Sequence, residues 1–443
     1  MLSWVQRTPV GLKRHLRQSL GQDIAMNDRA PSSVVIVGGG LIGLTTAVFL
    51  NDRGVDVTII DSGELGGGAA KGNAGLLCSA LLEPLPAPGS FRTALKSLLD
   101  PAGALRMRPS EFPKLAPWLL RFALKANARS YQSGRVALGG LNASSLRLGD
   151  RLRGLGVTID TGPPLLVAMH DPAEAEHFRA ELELMRQFGG IVPPTLLTAD
   201  EIHAAIPALT GHVATGFFLD NDLPIDPRVM IDSMIGVLRA RGVRVVEHRT
   251  IRSVDHTLGT VRSLTLSDGS EVPTEHILIA AGAGSHAVGK LFGMNIPVVA
   301  GQGYNFVLPS SAAFTHPVIF QDAHFVATPL ADGVRLGGTM ELTGDRPKFD
   351  QRRVDAIVRS ARPLLDLEYD KSRSTWAGSR PLTSDGLPIM GRSKTLSNVS
   401  LAVGHGMYGL TLAPATGAAM TELLCDPRPE TNLQAFSPTR FGL

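Results

Sequence analysis

Ten residues near the N-terminus, Val34-Val35-Ile36-Val37-Gly38-Gly39-Gly40-Leu41-Ile42-Gly43, match the pattern Gly-x-Gly-x-x-Gly directly after a run of β-branched residues. An apolar, helix-like segment follows, and a second strand-like run ends in Asp61, 18 residues after Gly43. Gly38 permits a tight turn, Gly40 lets the backbone approach a pyrophosphate, and Gly43 allows close helix–strand packing. The helix N-terminus favours phosphates, and Asp61 is placed to accept hydrogen bonds from a ribose. This order of elements predicts a dinucleotide site in a Rossmann-like α/β domain.

The length and charge of the chain exclude several classes of protein. Its 443 residues are enough for two or three domains. Four basic residues and one acidic residue within residues 1–25 account for the whole net charge of +3. The remainder is neutral and shows no basic face for nucleic acid. Two cysteines, Cys78 and Cys425, are too few for a disulfide framework or a Cys-rich metal site, and no cluster of His, Cys and carboxylate residues suggests a metal.

The N-terminal segment has more than one interpretation. We expect residues 1–30 to be an extension, either a presequence or surface-binding amphipathic helix, or an unstructured segment from an upstream start codon with the natural start at Met26. The uncharged run Ala30–Asn51 could suggest a membrane span. Glycines interrupt it after five strand-type residues, so a strand, a turn and a helix explain it better.

Two further glycine-rich segments indicate which dinucleotide is bound. Gly66–Leu77 is nearly free of bulky side chains and can lie against a flat ring system. Gly404–Thr411 precedes the helix-like segment Ala413–Leu424, whose N-terminus supplies amide donors for a second polar group. Two such loops at opposite ends of the chain, converging on one extended cofactor, favour FAD over NAD.

Motifs spread along the chain carry a resemblance to a known family. They are the N-terminal fingerprint, Gly72–Leu77, Gly303-Tyr304, Leu336–Glu341, Trp376–Pro388 and Gly404–Pro414. Over about residues 33–425 the chain resembles the D-amino acid oxidase superfamily of flavoproteins, most closely the bacterial D-amino acid dehydrogenases. Several ordered motifs at family-like spacing make chance agreement improbable.

The resemblance implies an α/β fold with two domains. One is a discontinuous, Rossmann-like FAD-binding domain, expected over residues 31–95, 200–298 and 373–443. The other is an α+β substrate domain built on a mostly antiparallel sheet, expected over residues 96–199 and 299–372. Alternating residues independently indicate antiparallel strands in Gly301–Leu308, Ala323–Leu330 and Gly333–Leu342.

The resemblance also implies the cofactor contacts. Thr250-Ile251 corresponds to the segment that holds the adenine through its backbone, and Ala280–Ala283 to a third FAD-contacting segment. With the residues of the three glycine-rich segments, the candidate cofactor-binding set is Gly38, Gly40, Leu41, Ile42, Gly43, Asp61, Ser62, Ala69, Ala70, Asn73, Ala74, Gly75, Leu76, Leu77, Ile251, Ala281, Gly282, Gly404, His405, Gly406, Tyr408, Gly409, Leu410 and Thr411. Gly72 occupies the position where related enzymes have the histidine that binds FAD covalently, so non-covalent FAD is expected.

The expected activity is oxidation of a D-amino acid by hydride transfer from Cα to flavin N5. Water then hydrolyses the imino acid to a 2-oxo acid and ammonia, and a quinone or another non-oxygen acceptor takes the electrons. Alternatives are a D-proline or D-hydroxyproline dehydrogenase, a glycine or sarcosine oxidase, or a flavin-binding subunit of a larger assembly. The expected location is the cytoplasm or the periphery of the inner membrane, with no nucleic-acid partner.

Three side chains are candidates for substrate binding. Arg380 is expected to hold the substrate carboxylate, because a guanidinium binds carboxylate bidentately and stays charged when buried; the family also has an arginine in this Arg-Pro motif. The alternative is a structural arginine that pairs with Asp385 or with the backbone. Tyr304 donates to the carboxylate, shapes the pocket or packs in the core, and His324 either lines the pocket or lies in a solvated loop.

One stretch could bear on the electron acceptor. Phe112–Arg129 places apolar residues beside Lys114, Arg121, Lys125 and Arg129. The pattern fits an amphipathic helix on a membrane surface, with access to quinone, and it equally fits a helix that packs inward.

Overall fold

The computed structural model describes residues 30–89, 105–107, 109–309, 311–343, 349–369 and 374–443. Residues 1–29 of the expected extension and the expected domain boundaries at 95–96 and 372–373 lie outside these ranges. The strands are β1 Ser33–Val37, β2 Asp56–Ile60, β3 Leu76–Leu77, β4 Leu105–Met107, β5 Leu165–Met169, β6 Leu197–Thr198, β7 Thr215–Leu219, β8 Leu223–Pro224, β9 Arg244–Val246, β10 Ile251–Thr257, β11 Thr260–Leu266, β12 Glu271–Pro273, β13 His276–Ile279, β14 Val299–Leu308, β15 Val318–Phe320, β16 Phe325–Leu330, β17 Gly333–Thr343, β18 Thr375–Leu382, β19 Ile389–Arg392 and β20 Val399–Val403.

The described residues also form ten α-helices. They are α1 Leu41–Asp52, α2 Phe112–Lys125, α3 Ala128–Asn142, α4 Ser145–Gly154, α5 Pro172–Leu182, α6 Ala199–Ala205, α7 Pro227–Ala240, α8 Ser285–Leu291, α9 Gln351–Ala361 and α10 Gly409–Cys425. No helix within the described ranges is long and apolar enough to cross a membrane.

The first sheet has the strand order β19-β20-β13-β1-β2-β9, and its neighbours are parallel except for β19 and β20. The antiparallel strands β10, β11 and β12 form a separate small sheet, and β3 pairs with β8. Helix α10 packs closely on α1, because a Cβ at Gly417 would lie 2.8 Å from the side chain of Thr45. In such sheets a ligand binds at the carboxyl ends of the strands, and these ends lead into the fingerprint turn and into Asp61.

The second sheet follows the order β18-β14-β17-β16-β15-β5-β7-β6, with β4 paired to β17. Its pairs are antiparallel except β15 with β5 and β17 with β4. The antiparallel strands expected between residues 301 and 342 are present as β14, β16 and β17.

Two strands of this larger sheet depart from the expected division of the chain. Strand β7 pairs with β5, and β18 pairs with β14, although both fall within the pieces expected to form the FAD-binding domain. The pattern of each strand predicts a strand but not its partner, because sheet membership depends on distant segments. Pairing with β14 places Arg380 on the larger sheet.

Candidate active site

The fingerprint turn joins β1 to α1 and needs glycine at two of its positions for packing. Gly38 has φ +113°, and a Cβ there would lie 2.4 Å from the carbonyl oxygen of Ala280. A Cβ at Gly43 would lie 2.0 Å from the carbonyl oxygen of Gly38. A Cβ at Gly40 would meet no atom within 4 Å, and Gly40 lines a large cavity. Gly40 therefore leaves room for a ligand rather than for neighbouring protein.

The N-terminus of α1 is open toward the same cavity. Its N-cap, Gly40, has no side chain to accept a hydrogen bond, and no acidic residue lies in the first turn. Unpaired N–H groups at a helix N-terminus favour an anion such as a phosphate. Asp61 lies beside this turn, where its carboxylate accepts from the N–H groups of Gly39 at 2.7 Å and Gly63 at 2.8 Å. These bonds orient the carboxylate, whose remaining lone pairs can still accept.

The C-terminal glycine-rich loop, Gly404–Thr411, is hydrogen-bonded to the early loop, Gly66–Leu77, and to the residues that follow it. The Thr411 hydroxyl accepts from the Cys78 N–H at 3.1 Å and donates to the Leu76 carbonyl at 3.2 Å. The Tyr408 hydroxyl accepts from the Glu83 N–H at 3.0 Å. Helix α10, which starts here, has no side-chain cap and no acidic residue in its first turn. Two segments more than 300 residues apart thus meet at a second open helix N-terminus.

The early loop is also held by the larger sheet. Asn305 donates to the Gly72 carbonyl at 2.6 Å, Arg335 to the Asn73 carbonyl at 2.6 Å and Thr328 to the Ala74 carbonyl at 2.7 Å. Three strands of the larger sheet, β14, β16 and β17, therefore hold the loop.

Arg380 crosses the neighbouring strand within this cavity. Arg380 is opposite Gly301 in the ladder, and a Cβ at Gly303 would lie 2.1 Å from its Nη1. The guanidinium fits only because residue 303 has no side chain. Burial lowers the pKa of Arg380 to about 10, so the group remains charged at neutral pH.

The surroundings of Arg380 leave its charge available to a ligand. Its Nη1 lies 3.5 Å from the Thr339 carbonyl oxygen, and no carboxylate in the described part of the chain forms an ion pair with it. Asp385, the alternative partner, pairs instead with Arg440 at 2.8 Å. A cation at a cavity without an acidic partner favours binding of an anion.

Tyr304 and His324 lie in different settings. Tyr304 is 1% exposed, packs with the core of the larger sheet and donates its hydroxyl to Glu341 at 2.9 Å. This arrangement favours the core role that the sequence left open. His324 is exposed, has φ +54° and lines the cavity from the turn between β15 and β16. His405 is buried with Nε2 3.0 Å from the Thr416 hydroxyl, and burial lowers its pKa to about 3, so it is neutral.

All these features border one cavity of about 1660 Å³. This exceeds the usual volume of a pocket for one small ligand, about 300–1,000 Å³. Arg380, Tyr304, His324 and all of the candidate cofactor-binding residues line it, except Gly43, Gly75 and Leu77. Gly43 packs within the turn, and a Cβ at Gly75 would lie 2.5 Å from the Ile225 carbonyl oxygen. An extended cofactor and a small substrate therefore fit together.

Several lining residues had no role assigned from the sequence. Glu83, Gln302 and Thr339 each line the cavity and carry a buried side-chain oxygen without a hydrogen-bond partner in the described residues. The indole of Trp376 lies over Gly72 and Gly378, where a Cβ would approach it within 2.1 Å and 1.9 Å. Thr339 and Trp376 belong to the family-like motifs, which were the available signal, whereas Glu83 lies in no motif. The described residues contain no group of three potential metal ligands.

The comparisons with known proteins agree with this geometry. The family model DAO, FAD dependent oxidoreductase, matches residues 33–423. The chain is 29% identical over 419 residues to D-amino acid dehydrogenase from Rhodopseudomonas palustris, with 92% of this chain and 97% of that protein covered. It is 28% identical over 422 residues to D-amino-acid oxidase from Bradyrhizobium diazoefficiens, with 92% and 98% covered.

A solved structure supports the same architecture. Glycine oxidase from Geobacillus kaustophilus matches with a TM-score of 0.69 and 22% identity, covering 92% of this chain and 98% of that one. At this identity the likeness shows the fold alone. It confirms the expected α/β class with a Rossmann-like domain and a second domain.

Proposed function

Because the chain belongs to the DAO family of FAD-dependent oxidoreductases, we propose that it oxidises a D-amino acid and passes the electrons to a quinone or another non-oxygen acceptor. The observation that carries the proposal is Arg380, a cation without an acidic partner among the described residues, in a cavity that also receives two open helix N-termini. The choice of the D-form is supported by the names of the curated relatives, D-amino acid dehydrogenase among them. The chain binds FAD, as the motifs predicted.

The residues around the cavity fit FAD. The open position at Gly40 and the uncapped N-terminus of α1 would hold the pyrophosphate, and Asp61 the ribose. The backbone N–H groups at the N-terminus of α10 would favour negative charge on the pyrimidine side of the ring system, and the Thr411 hydroxyl fixes this end of the helix to the early loop. Non-covalent binding is part of the proposal, since position 72 is glycine and burial raises the pKa of the Cys78 thiol well above its usual range. Bound FAD supplies the two-electron acceptor.

The chain's own part in the reaction is orientation. Arg380 binds the α-carboxylate bidentately, so that Cα–H has one fixed direction relative to the cofactor. Burial lowers the pKa of His405 to about 3, so this imidazole is too weak a base to take a proton from the substrate near neutral pH. The amine reacts in its neutral form, so the mechanism assigns no general base to the chain. Two electrons and two protons leave the amino acid, and water converts the resulting imino acid to 2-oxo acid and ammonia.

Anaerobic mixing with D-, L- and N-alkyl amino acids tests the proposal. D-amino acids with a primary amine should bleach the flavin absorbance near 450 nm, and L-amino acids should not. Bleaching mainly by D-proline, D-hydroxyproline, glycine or sarcosine would favour the alternative substrates. Hydrogen peroxide at near-stoichiometric yield in air would contradict the non-oxygen acceptor, and the absence of turnover by the single chain would favour a subunit of a larger assembly.

Helix α2 supports a peripheral contact with an anionic bilayer as the route to a quinone. Its inner face packs on the larger sheet, with Trp118 donating to the carbonyl of Leu382 at 3.3 Å, two residues from Arg380. Its outer face exposes Phe112, Leu120 and Leu124. This face is flanked by the exposed basic residues Lys114, Arg121 and Lys125. The helix contains no acidic residue. Exposed apolar side chains beside basic ones fit a headgroup region.

Replacing Leu124 by glutamate should weaken binding to phosphatidylglycerol-containing vesicles by at least about tenfold, because it removes apolar contact and adds repulsion. Vesicle co-sedimentation of the holoenzyme measures this. Leu258→Glu is the matched control. Leu258 is 99% exposed on the β10–β11 turn, so this substitution makes the same change of charge away from α2. Equal losses in both variants would argue against α2 as the contact.

A further inference from the structure

Strand β17 contains a bulge at Thr339, next to the cavity. In the ladder with β14, Met340 is opposite Gly303 and Gly338 is opposite Tyr304, so Thr339 has no residue opposite it. Its φ is +51°. The left-handed region is strongly unfavourable for a β-branched residue, and bulges beside active sites commonly redirect a side chain. The strain therefore calls for a function that needs this conformation.

A second non-glycine residue with a positive φ lies beside Thr339. His324, at φ +54°, directly precedes Phe325, which is opposite Gly338 in the β16–β17 ladder. His324 and Thr339, which both have a left-handed backbone conformation, line the same cavity. The distortion is thus concentrated at one wall of the cavity rather than spread along the sheet.

The Thr339 hydroxyl is buried and has no partner in the part of the chain that the structure describes. Its Oγ1 has no hydrogen bond to any described residue, and burying a hydroxyl without a partner is costly. The carbonyl of the same residue lies 3.5 Å from Nη1 of Arg380. Thr339 therefore lies beside the guanidinium, and a hydroxyl can donate to a carboxylate bound there.

We propose that Thr339 is a substrate-binding residue whose hydroxyl donates a hydrogen bond to the carboxylate held by Arg380. This inference rests on the proposed amino-acid substrate, which it deepens by assigning a second contact to the α-carboxylate. The bulge gives this contact its position, because a regular ladder would leave no extra residue between Gly338 and Met340.

Thr339→Val tests the inference, because it removes the hydroxyl while keeping the β-branched shape. The holoenzyme should retain its flavin, and the affinity for propionate, measured from the perturbation of the flavin spectrum, should fall about tenfold to a hundredfold. The KM for the amino-acid substrate should rise similarly, with a smaller change in kcat. Thr339→Ser should restore most of the affinity.

Two further variants separate the hydroxyl from the backbone. Thr339→Gly relieves the left-handed strain but has no hydroxyl, so it should bind propionate as weakly as the valine variant. Thr343→Val is the matched control: Thr343 lies on the same strand and also has a buried hydroxyl without a partner in the described residues, but it does not line the cavity. It should bind propionate like the wild type.

Unchanged propionate affinity in Thr339→Val, wild-type affinity in Thr339→Gly, or failure of serine to restore binding would each overturn the inference. If the wild type is bleached by D-amino acids while Thr339→Val behaves like it, only the role of Thr339 fails. If no amino acid bleaches the wild type, the proposed function fails, whereas the propionate titration still tests Thr339.

Discussion

Arg380→Ala should bind substrate carboxylates about 30-fold to several thousand-fold more weakly than the wild type, while the flavin stays bound. Losing one partner of a buried charged pair costs about 2–5 kcal/mol, and every 1.4 kcal/mol is a factor of ten in affinity. Anaerobic titration with the amino acid, and with propionate as a ligand that cannot react, measures the loss. Wild-type affinity in the alanine variant would remove Arg380 from the site.

Arg380→Ala should weaken carboxylate binding without lowering the stability of the protein. The guanidinium is held in the protein without an ion-pair partner in the described residues, and such a charge is unfavourable until a ligand arrives. We therefore expect the free energy of unfolding of Arg380→Ala to equal or exceed that of the wild type without ligand. A large drop in Tm would indicate a structural role for the side chain.

Gly303→Ala provides an independent test that keeps the charge. A Cβ at residue 303 would lie 2.1 Å from Nη1 of Arg380, so the guanidinium must move. Carboxylate affinity should fall in this variant as well, with normal flavin content. Gly301→Ala is the matched control, because its Cβ would meet the side chains of Leu382 and Met340 instead.

The sequence predicted those features whose cause is local. The fingerprint turn was predictable because positive φ at Gly38 and close packing at Gly43 leave a glycine signature. Alternation between polar and apolar residues likewise predicted strands β14, β16 and β17. Arg380 was proposed as a site residue from its motif, although nothing in the sequence indicates that its side chain passes over Gly303.

The features that sequence patterns did not predict depend on contacts between distant segments. The bulge at Thr339 exists only in the register between β14 and β17. The position of Tyr304 in the core depends on which face of β14 is covered by other elements, and alternation alone cannot say which face that is. The pairing of β18 with β14 rather than with the parallel sheet likewise depends on segments about 70 residues away.

Gly40→Val should give a folded chain that cannot retain FAD. The Cβ of residue 40 would meet no protein atom within 4 Å, so the apoprotein can accept the side chain. The same space is where the backbone must approach the pyrophosphate at the N-terminus of α1, so the valine would exclude the ligand. The flavin absorbance of the purified protein should be lost, with the circular dichroism spectrum preserved. Full flavin content in this variant would show that the pyrophosphate does not lie at this turn.

The neighbouring glycines make this test specific, because substitution at each affects a different contact. Gly43→Ala should prevent correct folding, since its Cβ would lie 2.0 Å from the Gly38 carbonyl oxygen. Gly40→Ala adds only one methyl group and should weaken FAD binding less than valine does. Loss that grows with side-chain size at residue 40, in chains that remain folded, would separate a blocked cofactor from a damaged turn. If Gly40→Val were unfolded like Gly43→Ala, the glycine would be needed by the protein itself, and the assignment of its open side to the pyrophosphate would be wrong.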